Sequence, residues 1–250
     1  KMKKSFEKKL DDLKFQLELG VSEAIDLSIS GLNRKSSLNN IKDKSKDNSN
    51  NSLDDITSLE DLKLYIEQFE GCELKLNAKN TVFCDGNKNS KIMIIGEAPG
   101  NQEDIEGKPF VGKSGQLLDK VLNFINLNRG NCYITNIVPW RPPGNRNPTS
   151  EELKICVPFV KKHIELIKPD ILLLVGSIST KSLLNIDIGI TKIRGEWKKY
   201  QNNKVEIPSL PIFHPAYLLR RPTNKSLAMK DMLVLNKKIK DIEKEKKIEQ

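Results

Sequence analysis

The spacing of apolar residues along the chain predicts helices that alternate with short buried strands. Continuous apolar runs at 91–95, 132–138 and 171–175 indicate strands of the kind that parallel sheets bury on both faces. A shorter run at 208–213 predicts one more strand. Strands that alternate with helices of this length indicate an α/β fold, with three layers (α/β/α) around a central, mostly parallel four-stranded sheet. Helical spacing predicts the helices at about 57–69, 113–126, 149–167, 177–184 and 224–243.

Composition divides the chain into four segments. The spacing of apolar side chains in residues 1–30 predicts an N-terminal helical extension. Its apolar stripe would pack against the main domain or a partner. Residues 31–56 hold too few apolar side chains to fold, which predicts a flexible polar linker. Residues 57–243 are expected to form the main domain, and residues 244–250 a charged tail.

The charge of the chain permits a polyanionic partner without requiring one. Lys and Arg number 42 against 33 Asp and Glu, a formal net charge of +9, which would suit nucleic acid. The chain is also saturated with Lys, Asn and Ile, a bias that A+T-rich coding DNA produces without selection for binding. Both interpretations stay open.

Cysteine usage and hydropathy predict a cytoplasmic protein without membrane association. No run approaches the roughly 18 apolar residues of a membrane span, and the first residues lead into an amphipathic pattern rather than a signal peptide. The four cysteines include no C-x-x-C pair, so their spacing supports neither a zinc ribbon nor a redox motif. We expect no disulfide framework.

The loop after the predicted strand at 91–95 carries more potentially reactive side chains than a simple turn requires. The carboxylates Glu97, Glu103 and Asp104 lie in this loop, and it continues to the aromatic Phe110 and on to residue 115. Ligands of open α/β sheets bind outside the carboxyl ends of the strands, which is where this loop should lie.

Two further loops, at 136–148 and 214–222, also follow predicted strands. If the strands are parallel, all three loops open on the same edge of the sheet and bring Asn136, Asn145 and His214 to the acids and the aromatic ring. Such a set could stack on a planar heterocycle, hydrogen-bond its edge, and hold a water or stabilise developing charge.

Each of these side chains also has a purely structural interpretation. Asn136 could cap a turn, His214 could be a hydrogen-bonded structural residue, and Phe110 could belong to the core. For His163, inside a predicted helix, the structural interpretation is favoured. The proline-rich loop at 139–148 could be a rigid segment that binds a protein. Spacing alone therefore predicts a pocket and not a reaction.

Five motifs in order resemble those of the family 4 type of uracil-DNA glycosylase. The resemblance covers roughly residues 66–240 and implies that the domain at 57–243 is a catalytic domain with the fold of these enzymes. The motifs are Gly-Glu-Ala-Pro-Gly at 96–100 with Glu-Asp at 103–104, Pro-Phe-Val-Gly at 109–112 with Gly115, Thr-Asn-Ile-Val at 135–138, Arg-Pro-Pro at 141–143 with Asn145 and Arg146, and His-Pro-Ala-Tyr-Leu-Leu-Arg at 214–220.

The resemblance implies hydrolysis of the N-glycosidic bond of uracil that is flipped out of DNA, which leaves an abasic site in base excision repair. It implies three catalytic residues. Glu97 would position or activate the water, or stabilise the cation-like sugar. Asn136 would hydrogen-bond the polar edge of the base, and His214 would donate toward uracil O2, where negative charge grows.

The resemblance also implies contacts to the base and to DNA. Phe110 would stack on the uracil, and Ala98 and Glu103 would line it, with Glu103 on the C5 side. Further residues would contact DNA or fill the gap that the flipped base leaves; they are Ser114, Asn145, Arg146, Leu218, Leu219 and Arg220.

One departure from the family concerns its cofactor. Family 4 enzymes generally hold a four-iron, four-sulfur cluster through four cysteines, and the matching positions here are Cys72, Lys75, Trp140 and Cys156. Neither lysine nor tryptophan normally binds this iron. We therefore predict no cluster and no other metal, with Trp140 and its neighbours filling the space, as in a subgroup that has lost the ligands. No insertion follows Asp104, so a relative that traps uracil covalently is disfavoured.

Two other functions compete with excision. A non-catalytic, DNA-binding or replication-associated module on the same fold would need neither Glu97 nor His214. A related hydrolase or nucleotide-binding protein is the other alternative. The expected partner is single- or double-stranded DNA that contains uracil, bound by a monomer.

Overall fold

The computed structural model describes residues 52–202 and 205–248 of the chain. The predicted helical extension at 1–30 and most of the predicted linker lie outside the described residues.

Six strands in the described residues form a single sheet in the order β1-β3-β2-β4-β6-β5. The four inner strands are parallel to one another, and β1 and β5 pair antiparallel at the two edges. The predicted, mostly parallel sheet is confirmed, and two short edge strands extend it beyond the four that the apolar runs indicated. The strands are β1 (Asp85–Gly86), β2 (Ile92–Gly96), β3 (Tyr133–Asn136), β4 (Ile171–Val175), β5 (Lys198–Gln201) and β6 (Glu206–Ile212).

Helices cover both faces of this sheet. Three short 3-10 turns complete the described structure, at Leu53–Asp55, Pro143–Asn145 and Pro222–Asn224. The helices are α1 (Leu59–Gln68), α2 (Leu74–Asn77), α3 (Asn101–Glu106), α4 (Lys113–Asn123), α5 (Ser150–Ile167), α6 (Ser177–Leu184), α7 (Ile190–Ile193), α8 (Pro215–Arg220) and α9 (Lys225–Ile248).

Alternate residues of each inner strand enter different cores. Met93 and Ile95 of β2 pack with α1 and α5 on one face, whereas Ile92 and Ile94 pack with α4 and α9 on the other. Because neighbouring side chains of a strand point to opposite faces, a continuous apolar run serves two cores at once. The three-layer arrangement follows from this.

Two boundaries differ from the sequence prediction. The domain packs from Leu53 rather than from residue 57, since Ile56 is only 6% exposed and Lys162 donates to the carbonyl of Asp54 at 3.1 Å. At the other end, α9 continues to Ile248, through most of the predicted charged tail. Lysine and glutamate have high helix propensity, so the charged residues of the tail continue α9 instead of ending it.

None of the helices in the described ranges is both long enough and apolar enough to cross a membrane.

The layer arrangement makes a test of the central strand possible. Leu173 of β4 is fully buried, so Leu173→Ala should lower the free energy of unfolding by about 2–5 kcal/mol through lost burial and a residual cavity. Leu233→Ala, at a side chain that is 54% exposed, is the control and should change it by less than about 0.5 kcal/mol. Equal losses in urea unfolding would contradict the assignment of the core.

Candidate active site

The pocket forms where β2 and β3 end together. Their parallel register places Gly96 opposite Asn136 at the carboxyl edge of the sheet. The Asn136 side chain is buried, with 5% of the residue exposed, and its Oδ1 accepts no hydrogen bond from any described residue. A buried acceptor without a donor costs free energy, so this oxygen is suited to a ligand that donates.

Gly96 allows a carboxamide and an aromatic ring to converge on the strand end. A Cβ at Gly96 would lie 2.3 Å from Asn136 Oδ1 and 2.5 Å from Phe110 Cζ. Either contact excludes a side chain at this position. The loop that begins at residue 96 therefore brings Phe110 back onto Asn136, which confirms that two of the predicted loops share one site.

Phe110 is held in an unusual backbone conformation. Its φ is +56°, in the left-handed region that non-glycine residues rarely occupy. Its carbonyl lies against the start of α4, where a Cβ at Gly115 would come within 1.7 Å of the Phe110 oxygen. The ring is buried and lies 5.9 Å from the ring of His214, inclined by 31°.

His214 is neutral and presents a donor at this site. It caps the N-terminus of α8, where Nδ1 accepts a hydrogen bond from the backbone N–H of Ala216 at 3.2 Å. Burial, and to a lesser degree the nearby charge of Arg220, lowers the pKa of His214 to about 4. Since Nδ1 is an acceptor, the proton of the neutral ring is on Nε2. Gly176 leaves room for this ring, because a Cβ there would lie 3.1 Å from the Cβ of His214.

Glu97 is the one acid of the opening loop whose carboxylate is left free. Its side chain accepts no hydrogen bond within the described ranges, and burial raises the pKa of this carboxyl above its ordinary value. Only its backbone is engaged, as the carbonyl accepts from the N–H of Val138 at 3.0 Å. A half-buried carboxylate of this kind can take a proton from a water molecule.

Glu103 and Asp104 of that loop shape the chain. Glu103 accepts from the backbone N–H of Gly100 at 3.1 Å and of Gly112 at 2.8 Å, one with each oxygen. Asp104 is buried and accepts from the N–H of Lys79 at 2.8 Å. Glu103 thus closes the loop, and this geometry gives no support to the predicted contact with the C5 side of the base.

The residues that were predicted to contact DNA differ in their exposure to solvent. Leu218 is only 2% exposed and packs with Phe213, so this geometry gives no support to its predicted place in the gap that the flipped base leaves. Leu219 is 42% exposed on the same helix. Arg220 is exposed, as are Asn145 and Arg146, whereas Ser114 is half-buried. Ala98, predicted to line the base, is also half-buried.

Two of the exposed residues are already paired within the protein. Arg146 donates through both terminal nitrogens to the carboxylate of Glu152, at 2.6 and 2.8 Å. Asn145 accepts from Nε of Arg141 at 2.8 Å, and Arg141 also donates to Asn101 at 2.8 Å. These contacts support the proline-rich loop and tie it to α3, so a predicted DNA contact by Arg146 would have to break or share its ion pair.

The four predicted cluster positions hold two buried thiols, Cys72 and Cys156, together with Lys75 and Trp140. Burial raises the pKa of the Cys156 thiol, and the neighbouring Cys72 raises it further. Lys75 donates to the carbonyls of Glu67 at 2.5 Å and of Phe69 at 3.0 Å. Its ammonium therefore satisfies the open end of α1, in place of a metal ligand.

Trp140 fills the remaining space. It is fully buried, and its indole N–H donates to Thr81 at 3.0 Å. Its ring stacks on Phe69 with centroids 6.4 Å apart and meets the ring of Phe159 edge-on at 6.1 Å. This donor set does not fit an iron–sulfur cluster, which needs four thiolates, and no three His, Cys, Asp or Glu residues group as metal ligands within the described ranges.

Sequence reasoning missed two residues behind the pocket. Gly176 begins α6 beside His214, and a glycine directly after the apolar run at 171–175 could have indicated it. Arg129, in the loop between α4 and β3, donates to the carbonyl of Phe110. No local pattern marks Arg129, because its partners lie far away in the sequence.

Sequence comparisons match this chain to known proteins. The family model described as the uracil DNA glycosylase superfamily matches residues 83–236. A type-4 uracil-DNA glycosylase of Thermotoga maritima is 38% identical over 161 residues, which are 64% of this chain and 82% of the relative. One from Saccharolobus solfataricus is 39% identical over 171 residues, 66% of this chain and 79% of the relative. One from Pyrobaculum aerophilum is 35% identical over 179 residues, 70% and 91% of the two chains.

The two histidines of the chain should both stay neutral near physiological pH. Burial lowers the pKa of His163 to about 3 and contributes most to the value of about 4 for His214, whereas both would titrate near 6.5 in the unfolded chain. NMR of ring-labelled histidine should therefore show no titration between about pH 5.5 and 7.5, with His214→Gln used to assign the signals.

The same depressed pKa values make stability depend on pH. The unfolded chain takes up these protons near pH 6.5, so the contribution is complete above that pH and is lost as pH falls toward 4 and below. A His214 signal that titrates near pH 6.5 would contradict the neutral donor.

Proposed function

Because the chain belongs to the uracil DNA glycosylase superfamily and, within it, to the type-4 enzymes, we propose that it hydrolyses the N-glycosidic bond of uracil in DNA and leaves an abasic site. The observation that carries this proposal is the meeting of Asn136, Phe110 and the neutral His214 around Gly96. These three side chains are an unpaired carboxamide, a stacking surface and a donor, which together fit a flipped pyrimidine.

The base is held by Phe110 and Asn136. Uracil stacks on the buried ring, and its N3–H donates to the otherwise unpaired Oδ1 of Asn136, whose NH₂ group donates to O4. Cytosine has no N3–H and carries an amino group at C4, so it would leave the Asn136 amide mismatched. A polar site that loses its hydrogen bonds rejects such an analogue strongly.

His214 stabilises the departing base. As the bond between C1′ and N1 breaks, its electron pair moves into the uracil ring and negative charge grows at O2. The Nε2–H of His214 donates to this oxygen while the ring remains neutral, in keeping with its low pKa. A fixed donor of this kind typically contributes about 3 kcal/mol to the transition state.

Glu97 acts on the water. In its ionised form the carboxylate orients the water toward C1′ and takes up its proton as the new C–O bond forms. Its negative charge also stabilises the cation-like sugar. Partial burial raises the pKa of Glu97, which makes the carboxylate a better base than an exposed one.

A purely DNA-binding role is less consistent with these residues. Burying an acceptor without a partner and raising the pKa of a carboxyl group both oppose folding. A binding module would gain nothing from either, whereas a hydrolase uses both when substrate is present.

The DNA interface is proposed around α8 and the start of α4. Leu219 and Arg220 are exposed one turn beyond His214, where they can enter the gap that the flipped base leaves. Ser114 lies in the first turn of α4, and we propose that it contacts a phosphate there. The substrate is uracil-containing DNA, single- or double-stranded, and we propose that the protein acts as a monomer.

We also propose that the domain works without an iron–sulfur cluster. The support is the packing of Trp140 against Phe69 and Phe159 and the use of Lys75 at the end of α1. The proposed location is the cytoplasm, in keeping with four cysteines that are all free thiols.

Excision can be measured on an oligonucleotide that contains one uracil, with alkali to cleave the abasic site. Asn136→Ala and His214→Ala should each lower the single-turnover rate by about 100- to 1000-fold, as loss of a transition-state donor does, and both should still bind DNA. Lys88→Ala, in an exposed ion pair with Glu60, is the control and should keep the wild-type rate. Absence of strand scission by the wild-type protein on both single- and double-stranded substrates would overturn the proposed function.

The cofactor proposal has a separate test. Protein purified without oxygen should contain far less than one iron per chain and show no broad absorbance near 400 nm, because two of the four thiolates are absent. Trp140→Ala should lower the free energy of unfolding by about 3–5 kcal/mol, as expected for a buried aromatic that packs the site. About four irons per chain would contradict the proposal.

A further inference from the structure

We propose that Arg129 is a positioning residue for base excision, because it holds the backbone of Phe110 in the conformation that presents the aromatic ring to the base. This inference rests on the proposed function. The hydrogen bonds of Arg129 within the described residues go to two carboxylates and to the carbonyls of Pro109 and Phe110, so it acts through the backbone of Phe110.

The guanidinium binds two successive carbonyls of the loop. Its Nη1 donates to the oxygen of Pro109 at 3.1 Å, and its Nη2 donates to the oxygen of Phe110. Together they set the directions of the peptide groups on both sides of the Phe110 Cα. Two adjacent peptide directions determine φ and ψ of the residue between them.

Two carboxylates hold the guanidinium itself in place. Nη1 lies 2.5 Å from Oδ2 of Asp85 in β1, and Nε and Nη2 each lie 3.4 Å from Oδ2 of Asp119 in α4. All five N–H groups of Arg129 are therefore used. Arg129 thus connects an edge strand and a helix to the loop that carries the ring.

The conformation of Phe110 needs such support. A non-glycine residue at a φ of +56° is unfavourable by itself and persists only where its surroundings enforce it. Gly115 supplies one restraint by letting the Phe110 carbonyl approach the first turn of α4. Arg129 supplies the second, through its hydrogen bond to the same carbonyl.

Lysine cannot replace this arginine. A single ammonium nitrogen cannot bond two neighbouring carbonyls and two separate carboxylates at once, whereas the planar guanidinium has its donors spread over three nitrogens. Arg129→Lys keeps the charge and removes the geometry, so it tests positioning rather than electrostatics.

The experiment is a double-mutant cycle on single-turnover excision, with wild type, Arg129→Lys, Phe110→Ala and the double variant. Arg129→Lys should slow excision by about 10- to 100-fold, as a small misplacement of a reacting group does. In the Phe110→Ala background, Arg129→Lys should slow it by less than about 3-fold, because the ring it positions is gone. The affinity of Arg129→Lys for DNA that already contains an abasic site should stay within about 2-fold of the wild-type value, because no base remains to be stacked.

Arg194→Lys is the matched control, because it disturbs another partly buried ion pair, the one with Asp231. Its effect on excision should be the same in both backgrounds. Equal fold-losses for Arg129→Lys in the two backgrounds would overturn the positioning role and leave only a structural one. A wild-type protein that excises no uracil would instead overturn the proposed function, so the two failures are distinguishable.

Discussion

The parallel pairing of β2 with β3 is the constraint on which the pocket depends. It places Gly96 opposite Asn136, and the missing side chain of Gly96 lets Phe110 reach the carboxamide. The same parallel order ends β4 and β6 at this edge, so that Gly176 and His214 complete the site. Since all four inner strands run one way, a shift of one strand by a single residue would turn these groups away from each other.

Within the site, polar groups are divided between those that satisfy the fold and those that are left for a ligand. Glu103 and Asp104 are used by backbone N–H groups and hold the loop closed. Asn136 and Glu97 keep free acceptors, and His214 keeps a free donor. Leaving such groups unpaired lowers the stability of the fold. They stabilise the reaction when charge develops on the reacting atoms, because they are already oriented toward that charge.

The region of the family's metal cluster shows how packing can take over a structural task. Trp140 and Phe69 stack where ligands would meet, and Lys75 bonds the last carbonyls of α1. These contacts connect α1 to the proline-rich loop, which Arg141 then ties to α3. We propose that aromatic packing of this kind holds the two segments together in place of a metal.

The sequence by itself determined the strands, most of the helices and the motifs that carry Glu97, Asn136 and His214, because apolar spacing records which faces are buried. It could not decide which polar residues face the pocket. Glu103, Leu218 and Arg146 belong to matching motifs, yet they close a loop, fill a core and pair with Glu152. It also could not reveal Arg129, whose partners Phe110 and Asp85 lie 19 and 44 residues away. Only tertiary packing brings such residues within reach, since local periodicity contains no information about distances between separate elements.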